Sequence, residues 1–427
     1  MRIETGMISR HNGKLVGRHQ VELANLETLL SGNGIDTNGV INQIMDFQVA
    51  IPSWALGTGG TRFGRFPRGG EPRNLQEKME DVGLLHALNR SSGAISLHIP
   101  WDIPRDYQAI IELAKSLGLN FDAVNSNTFQ DQPEQAHSYR YGSLCHTDPA
   151  VRRQAIDHNL EVIDHGIRLG SAAITVWLAD GSNFPGQQNF RKAFENTVSS
   201  LAEIYKHLPP DWKLLLEYKP YEPNFYSMVV PDWGTSFAMV SRLGRQAFTL
   251  VDLGHHLPNT NIEQVVSTLM TLGKLGGFHF NDSKFSDDDL TVGSIKPYQL
   301  FLIFNELVYG MEHNATDNPP LSWMIDASHN IKDPLEDLLQ SVESIKTAFA
   351  QALLVDRKAL EEARNQNDVV MAEELLQGAF RTDVRPLLAE ARLRSGAAMQ
   401  PVRLFRDLNI RAKLIGERGS QSTATGL

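Results

Sequence analysis

The 427-residue sequence predicts an α/β protein: a (β/α)8 TIM barrel with N-terminal helices and a C-terminal helical extension. Three observations carry that expectation. Eight apolar, β-branched or aromatic runs alternate with helical patterns, which implies βαβ units and a parallel sheet. Eight such units close into a barrel instead of spreading into an open doubly wound sheet. No G-x-G-x-x-G follows an early strand, so a dinucleotide-binding fold lacks its fingerprint.

The elements follow in order. Residues 15–46 read as two helices ahead of the first strand. Strands are expected over 47–56, 95–101, 121–126, 172–178, 213–218, 248–253, 277–281 and 323–327. Helices are expected between them, over 74–89, 105–117, 148–168, 189–207, 235–243, 260–272 and 296–308. From Asp333 to about Leu414 the chain is rich in Leu, Ala, Glu and Arg. It reads as helical, broken near Gly378, Pro386 and Gly396. The Gly/Ser/Thr-rich end reads as disordered. The expected division is therefore an N-terminal helical segment (1–46), the barrel (47–350), a helical extension (351–415) and a tail (416–427). No internal repeat of solenoid length is present.

Composition narrows the function. Hydrophobic content of 41% and charged content of 21% belong to an ordinary globular protein. The single cysteine, Cys145, rules out an internal disulfide and suits a reducing compartment. The first twenty residues are polar, without the apolar stretch of a secretory signal. No apolar run reaches the roughly 18 residues needed to span a membrane. A cytoplasmic location is expected. A net charge of −10 argues against nucleic acid, whose binding proteins present basic patches, and suits a small neutral substrate.

Polar residues with metal-ligand chemistry stand where the apolar runs end: Glu217, Asp252, His279 and Asp326. His255 lies three residues after Asp252, and Asp287 and Asp289 follow His279. In a parallel barrel the C-terminal strand ends converge on one mouth. Two imidazoles and at least five carboxylates meeting there could orient two divalent cations. Each residue also has a plainer reading. Asp252 could cap a loop, Asp326 could cap the next helix, and 287–289 could be a solvated acidic loop. Glu217 and Lys219 lie two apart, on one strand face. The lysine could carry positive charge to a developing oxyanion, or the two could form a rim ion pair. His98 ends the second strand, as a donor to a sugar ring oxygen or as a satisfied core histidine. Trp54, Trp101, Phe129 and Trp177 recur at strand ends, where flat apolar rings suit the C–H faces of sugars; the alternative is ordinary core. The Gly-rich stretch 57–66, carrying Phe63, fits a lid or a surface connection.

Together these segments resemble one family. The identifying stretches are Pro-Ser-Trp54-Ala-Leu-Gly-Thr-Gly-Gly-Thr-Arg-Phe63, Ser-Leu-His98-Ile-Pro-Trp-Asp and Asn-Ser-Asn-Thr-Phe129. Others are Asp180-Gly-Ser-Asn-Phe-Pro-Gly-Gln, Val-Asp252-Leu-Gly-His255-His, Gly-Gly-Phe-His279-Phe-Asn-Asp-Ser-Lys and Met-Ile-Asp326-Ala-Ser-His-Asn. From about Leu23 to Leu414 the chain resembles the L-rhamnose isomerases, in the bacterial branch that accepts rarer aldoses such as D-allose.

The resemblance implies a homotetramer with two divalent ions per subunit, commonly Mn²⁺, with Co²⁺, Mg²⁺ or Zn²⁺ as alternatives. Glu217, Asp252, His279 and Asp326 would hold one ion. His255, Asp287 and Asp289 would hold the second, with Asp252 bridging. Lys219 would contact the substrate oxygen at C1, Asp326 would help move the O1/O2 proton, and His98 would bind or open the ring. Trp101, Phe129 and Trp177 would line the apolar side, Trp54 would close the mouth, and the loop bearing Phe63 would reach a neighbouring subunit's site. Tyr218 stands where the family often has His, and strand alternation should turn it away from the site.

The expected activity is reversible isomerisation of L-rhamnose to L-rhamnulose, with side activity on other aldoses. Two Lewis acids favour a metal-mediated hydride shift; an enediol route would need a base at C2, such as Asp326. The rivals are a one-metal sugar epimerase, a metal-dependent phosphodiesterase or endonuclease, and a non-catalytic carbohydrate-binding protein.

Overall fold

The computed structural model describes residues 3–58, 66–285, 287–313, 320–329 and 331–420. Eight parallel strands close into a barrel in sequence order. They are β1 (Ala50–Pro52), β2 (Ala94–His98), β3 (Asn120–Asn125), β4 (Ala173–Val176), β5 (Lys213–Glu217), β6 (Ala247–Asp252), β7 (Leu275–Phe280) and β8 (Ser322–Ile325). Pairing of Ala50 with Met324 closes the ring. All eight expected strands are present. The first is shorter than the 47–56 expected, because Ser53–Leu56 coils into one 3-10 turn that carries Trp54.

Helices α1 (Thr5–Gly13), α2 (Val16–Gly32) and α3 (Thr37–Asp46) precede the barrel. Helices α4 (Leu75–Asn89), α5 (Tyr107–Leu117), α6 (Pro149–Leu169), α7 (Phe190–His207), α8 (Trp233–Leu243), α9 (Ile262–Thr271) and α10 (Pro297–His313) alternate with the strands. Local sequence sets their starts: Asn74, Asp106, Asp148, Asn189 and Asp232 each accept a backbone N–H of the first turn, which satisfies donors the helix cannot. Helix α11 (Pro334–Leu353) completes the eighth unit. The extension adds α12 (Arg357–Asn365), α13 (Val369–Arg381), α14 (Arg385–Arg394), α15 (Pro401–Asp407) and α16 (Ile410–Arg418).

Three details differ from expectation. Helix α1 lies in a stretch that gave no helical pattern. It buries Ile8 in the core and docks through Asn12, whose Nδ2 donates to Ala397 O (2.8 Å) and whose Oδ1 accepts from Met399 N (3.0 Å). Helix α13 runs through Gly378, an expected break; a glycine in a helix interior costs only about 1 kcal/mol, and its neighbours carry the turn. Pro386 opens α14, where its missing N–H is no loss. Helix α16 continues to Arg418, and residues 421–427 lie outside the described residues. Among the described residues no helix is long and apolar enough to cross a membrane.

Strand alternation sorts the barrel side chains. On β5, Leu214 and Leu216 join the main core under the helices, whereas Leu215 belongs to a separate small cluster with Phe248 and Leu250 of β6. On β7, Phe278 and Phe280 also join the main core, and on β8 Ile325 does so while Met324 packs with Ala50 and Trp54. Glu217, Asp252, His279 and Asp326 fall on the other parity, in step with Leu215, Leu250 and Met324. Period two thus turns all four inward at the C-terminal mouth.

Candidate active site

A cavity of about 680 Å³ opens at that mouth. One wall is acidic and comes from the second half of the barrel. Glu217, Asp252, His279 and Asp326 each offer a ligand atom, all within 4.8 Å of one another. Asn281 Nδ2 holds Asp252 through both carboxylate oxygens (2.9 and 3.1 Å), and Gly254 N donates to Asp252 Oδ1 (2.7 Å). His279 Nδ1 lies 3.2 Å from Glu217 Oε1. His255 touches the same oxygen through Nδ1 at 3.1 Å, as a charge contact without hydrogen-bond alignment, and its Nε2 lies 3.1 Å from Asp287 Oδ1.

The acidic loop after β7 is closed by mutual backbone bonds between Asp282 and Leu290 (3.0 and 2.9 Å). Asp287 and Asp289 line the cavity, whereas Asp288 turns back to accept from Lys284 N and Phe285 N. Asp287 and Asp289 have φ of 46° and 47°, a left-handed conformation that is strained for residues other than glycine. Such strain concentrates at ligand-holding sites. Asp289 Oδ2 accepts from Ser328 Oγ (2.8 Å), while the buried Asp289 Oδ1 has no hydrogen-bond partner among the described residues.

The opposite wall comes from the first half and sets aromatic rings among polar groups such as Asn125, Ser126 and Thr175. Trp54, His98, Phe129 and Trp177 line it. His98 packs edge-on to Trp54 (5.4 Å) and Phe129 (5.6 Å), and Phe129 lies 4.8 Å from Trp177. Trp101 stacks behind, 4.6 Å from His98 and 6.3 Å from Phe129, and does not line the cavity. The walls meet where Trp54 Nε1 donates to Asp326 Oδ1 (2.8 Å) and where Lys219 Nζ sits 5.0 Å from the Trp177 ring. Phe63 lies outside the described residues.

Residues 92–323 match the family described as xylose isomerase-like TIM barrel. The chain is 51% identical to a probable sugar isomerase of Rhizobium meliloti over 97% of this chain and 96% of that protein. It is 50% identical to one of Mesorhizobium japonicum, covering 99% and 98%. The chain belongs to the xylose isomerase-like TIM barrel family. The xylose isomerase of Thermus thermophilus is 27% identical over 56% of this chain and 64% of that enzyme. Among solved structures, an L-ribulose 3-epimerase shares the fold at 14% identity and a TM-score of 0.53, covering 76% of this chain and 98% of that one.

Electrostatics in this xylose isomerase-like site follow from burial and crowding. Burial, with help from Glu217 and Asp326, pushes the Asp252 carboxyl up to about 6. Burial and the carboxylates of Asp287, Asp326 and Asp252 raise Asp289 well above its ordinary range. Asp326 is also raised, by burial and Glu217. Burial works against the charge of Glu217, yet the imidazoles of His279 and His255 hold it low. The same carboxylates lift His279 to about 9 against its burial. Burial pulls His98 down to about 4 against the opposing charge of Asp102, so the ring is neutral at pH 7.

The sequence reading missed several partners. Glu222 reaches Lys219 Nζ, which also donates to Asp287 Oδ2 (2.6 Å). Asp102, paired with Lys78 (2.7 Å), accepts from Ser53 Oγ and from His98 N (2.9 Å), so one buried carboxylate braces the turn of Trp54 against His98. Only the Trp-Asp pair after His98 could have signalled it. Asp180 binds Ser143 N (2.7 Å) and Cys145 N (2.9 Å), tying the β3 and β4 loops together. Tyr218 is turned away, as expected, and meets His256 Nε2 at 2.7 Å.

Proposed function

We propose that this chain is a metal-dependent aldose–ketose isomerase that interconverts L-rhamnose and L-rhamnulose and also takes other aldoses such as D-allose. The observation that carries the reading is one cavity with a lysine and a ligand quartet on one wall and a row of aromatic rings on the other. The sugar isomerase names of the 50–51% identical relatives support the reaction class.

The quartet of Glu217, Asp252, His279 and Asp326 fits a divalent ion. Ligation needs neutral imidazoles, which leaves the five ligand carboxylates and Glu222 around Lys219, a surplus of negative charge that bound cations would balance. The orphaned Asp289 Oδ1 needs a partner of that kind. Glu217, Asp252, His279 and Asp326 would hold one ion, and His255, Asp287 and Asp289 a second. Bound Mn²⁺, or Co²⁺, Mg²⁺ or Zn²⁺, would act as a Lewis acid on substrate oxygens.

The protein's own groups do the rest. His98, neutral and buried, donates to the ring oxygen as the pyranose opens. Lys219 stays cationic because Asp287 and Glu222 outweigh its burial, and it stabilises negative charge at O1. Asp326 helps move the proton exchanged between O1 and O2. The rings of Trp54, Phe129 and Trp177 cover the sugar's C–H face and keep out water, and their apolar surface welcomes a C6 methyl group. Hydrogen passes directly from C2 to C1. The subunits assemble as a homotetramer.

The test is ketose formation from L-rhamnose by chelator-stripped protein, before and after Mn²⁺, with D-allose, D-xylose and D-psicose in parallel. Rhamnulose that appears only with metal, keeping a C2 deuterium at C1, supports the proposal. Silence on every aldose with C3 epimerisation of D-psicose overturns it. Analytical ultracentrifugation reads the tetramer.

A further inference from the structure

We infer that Arg411, on the last helix, is a positioning residue for Asp326 and Trp54, so that the C-terminal extension helps build the site. The inference rests on the proposed metal site. Two chain segments leave the barrel beside each other, one after β1 and one after β8. At their inner ends they are joined by the Trp54–Asp326 bond (2.8 Å). At their outer ends they are joined by Arg411. Its guanidinium grips Asp333 with two parallel bonds, Nε to Oδ2 (2.6 Å) and Nη2 to Oδ1 (2.8 Å). Its Nη1 reaches back to Gly69 O (3.2 Å) and Gly70 O (3.4 Å).

The surroundings reinforce this clamp. Asp333 caps α11, accepting from Leu335 N (3.0 Å), so the same carboxylate fixes the end of the β8 segment. Arg68 donates to Ile331 O (2.5 Å), a second tie between the segments. Gly70 N donates to Gly419 O (2.8 Å), and a Cβ at Gly70 would lie 2.8 Å from the backbone of Leu414 and Ile415. The β1 segment is thus seated directly on the α16 backbone. Thr58 Oγ1 donates to Glu71 Oε1 (2.7 Å), which ties that seat to the start of the same segment, just after Trp54. Arg411 is 14% exposed and Asp333 6%, so the pair is sheltered from solvent screening. A two-point fork of this kind fixes orientation as well as distance.

The test uses full-length Arg411→Ala and Arg411→Lys, with Arg406→Ala as control; exposed Arg406, on neighbouring α15, pairs with Glu336 of α11 and hydrogen-bonds to neither segment. Mn²⁺ affinity is read by titration calorimetry, and amide exchange over residues 50–57 and 323–329 by mass spectrometry on metal-free protein. Loss of support behind a metal ligand weakens metal binding by about 10–100-fold. Arg411→Ala should fall in that range with faster exchange in both segments, Arg411→Lys should recover part, and Arg406→Ala should match wild type. Wild-type Mn²⁺ affinity and unchanged exchange in folded Arg411→Ala would overturn the inference; should that variant not fold, Arg411→Lys is read by the same criterion. A wild-type protein that binds no Mn²⁺ sinks the metal reading alone, because exchange in the metal-free protein still tests the clamp.

Discussion

Lys219 is held between Asp287 and Glu222, and its side chain is 4% exposed. Replacing it by Met removes the charge placed for O1 and leaves two carboxylates facing each other. Lys219→Met should lower kcat by roughly 10²-fold or more, and an unchanged kcat would remove Lys219 from the chemistry. His279 gives the pH dependence. Its metal-free pKa of about 9 exceeds the ordinary 6.5, so it adds stability that is fully present below pH 6.5 and lost as pH rises through 9. Ligation demands the neutral ring, so Mn²⁺ uptake at pH 7 should release this proton and affinity should climb with pH up to about 9. Calorimetry in buffers of different ionisation enthalpy counts the protons; none released at pH 7 contradicts the assignment. At this scale the quartet was legible because each member ends an apolar run whose parity fixes its direction. Glu222, Asn281 and Asp102 were not, because what makes them matter is a partner that only folding brings near.

Strand β7 shows how an element serves the site. Phe278 and Phe280 stack outward with Trp323 of β8 at 5.7 and 6.1 Å, their planes within 9° and 4°. His279 between them, and Asp326 beyond Trp323, point in. A slip of one residue would exchange a ligand for a ring, so the stack locks the register. Gly276 and Gly277 let β7 approach its neighbours: a Cβ on Gly277 would lie 2.8 Å from Ser322 N. Gly277→Ala should cost about 1–3 kcal/mol, read by thermal denaturation, and should also weaken metal binding through His279; wild-type stability would show that the strand gives way freely. Strand and helix positions were legible from period and caps, since both are local. The 3-10 turn after β1 was not, because its apolar residues continue the strand pattern.

The largest core cluster runs from Ile8 on α1 to Leu414 on α16, through the barrel helices between. Flanking helices and barrel should therefore melt together: calorimetry on metal-free protein should show one transition, coincident by circular dichroism and tryptophan fluorescence. A separate early transition would mean that the extension folds on its own. Helix α1 could not be read in advance, since it docks through Asn12 on a backbone almost 400 residues away. The division of the mouth has a further consequence. Strands β5 to β8 bring the carboxylate and imidazole quartet, while the ends of β1 to β4 bring the rings. On the proposed reading, changes at Phe129 should retune which sugar is admitted, whereas changes at Trp54 should also disturb the quartet through its bond to Asp326.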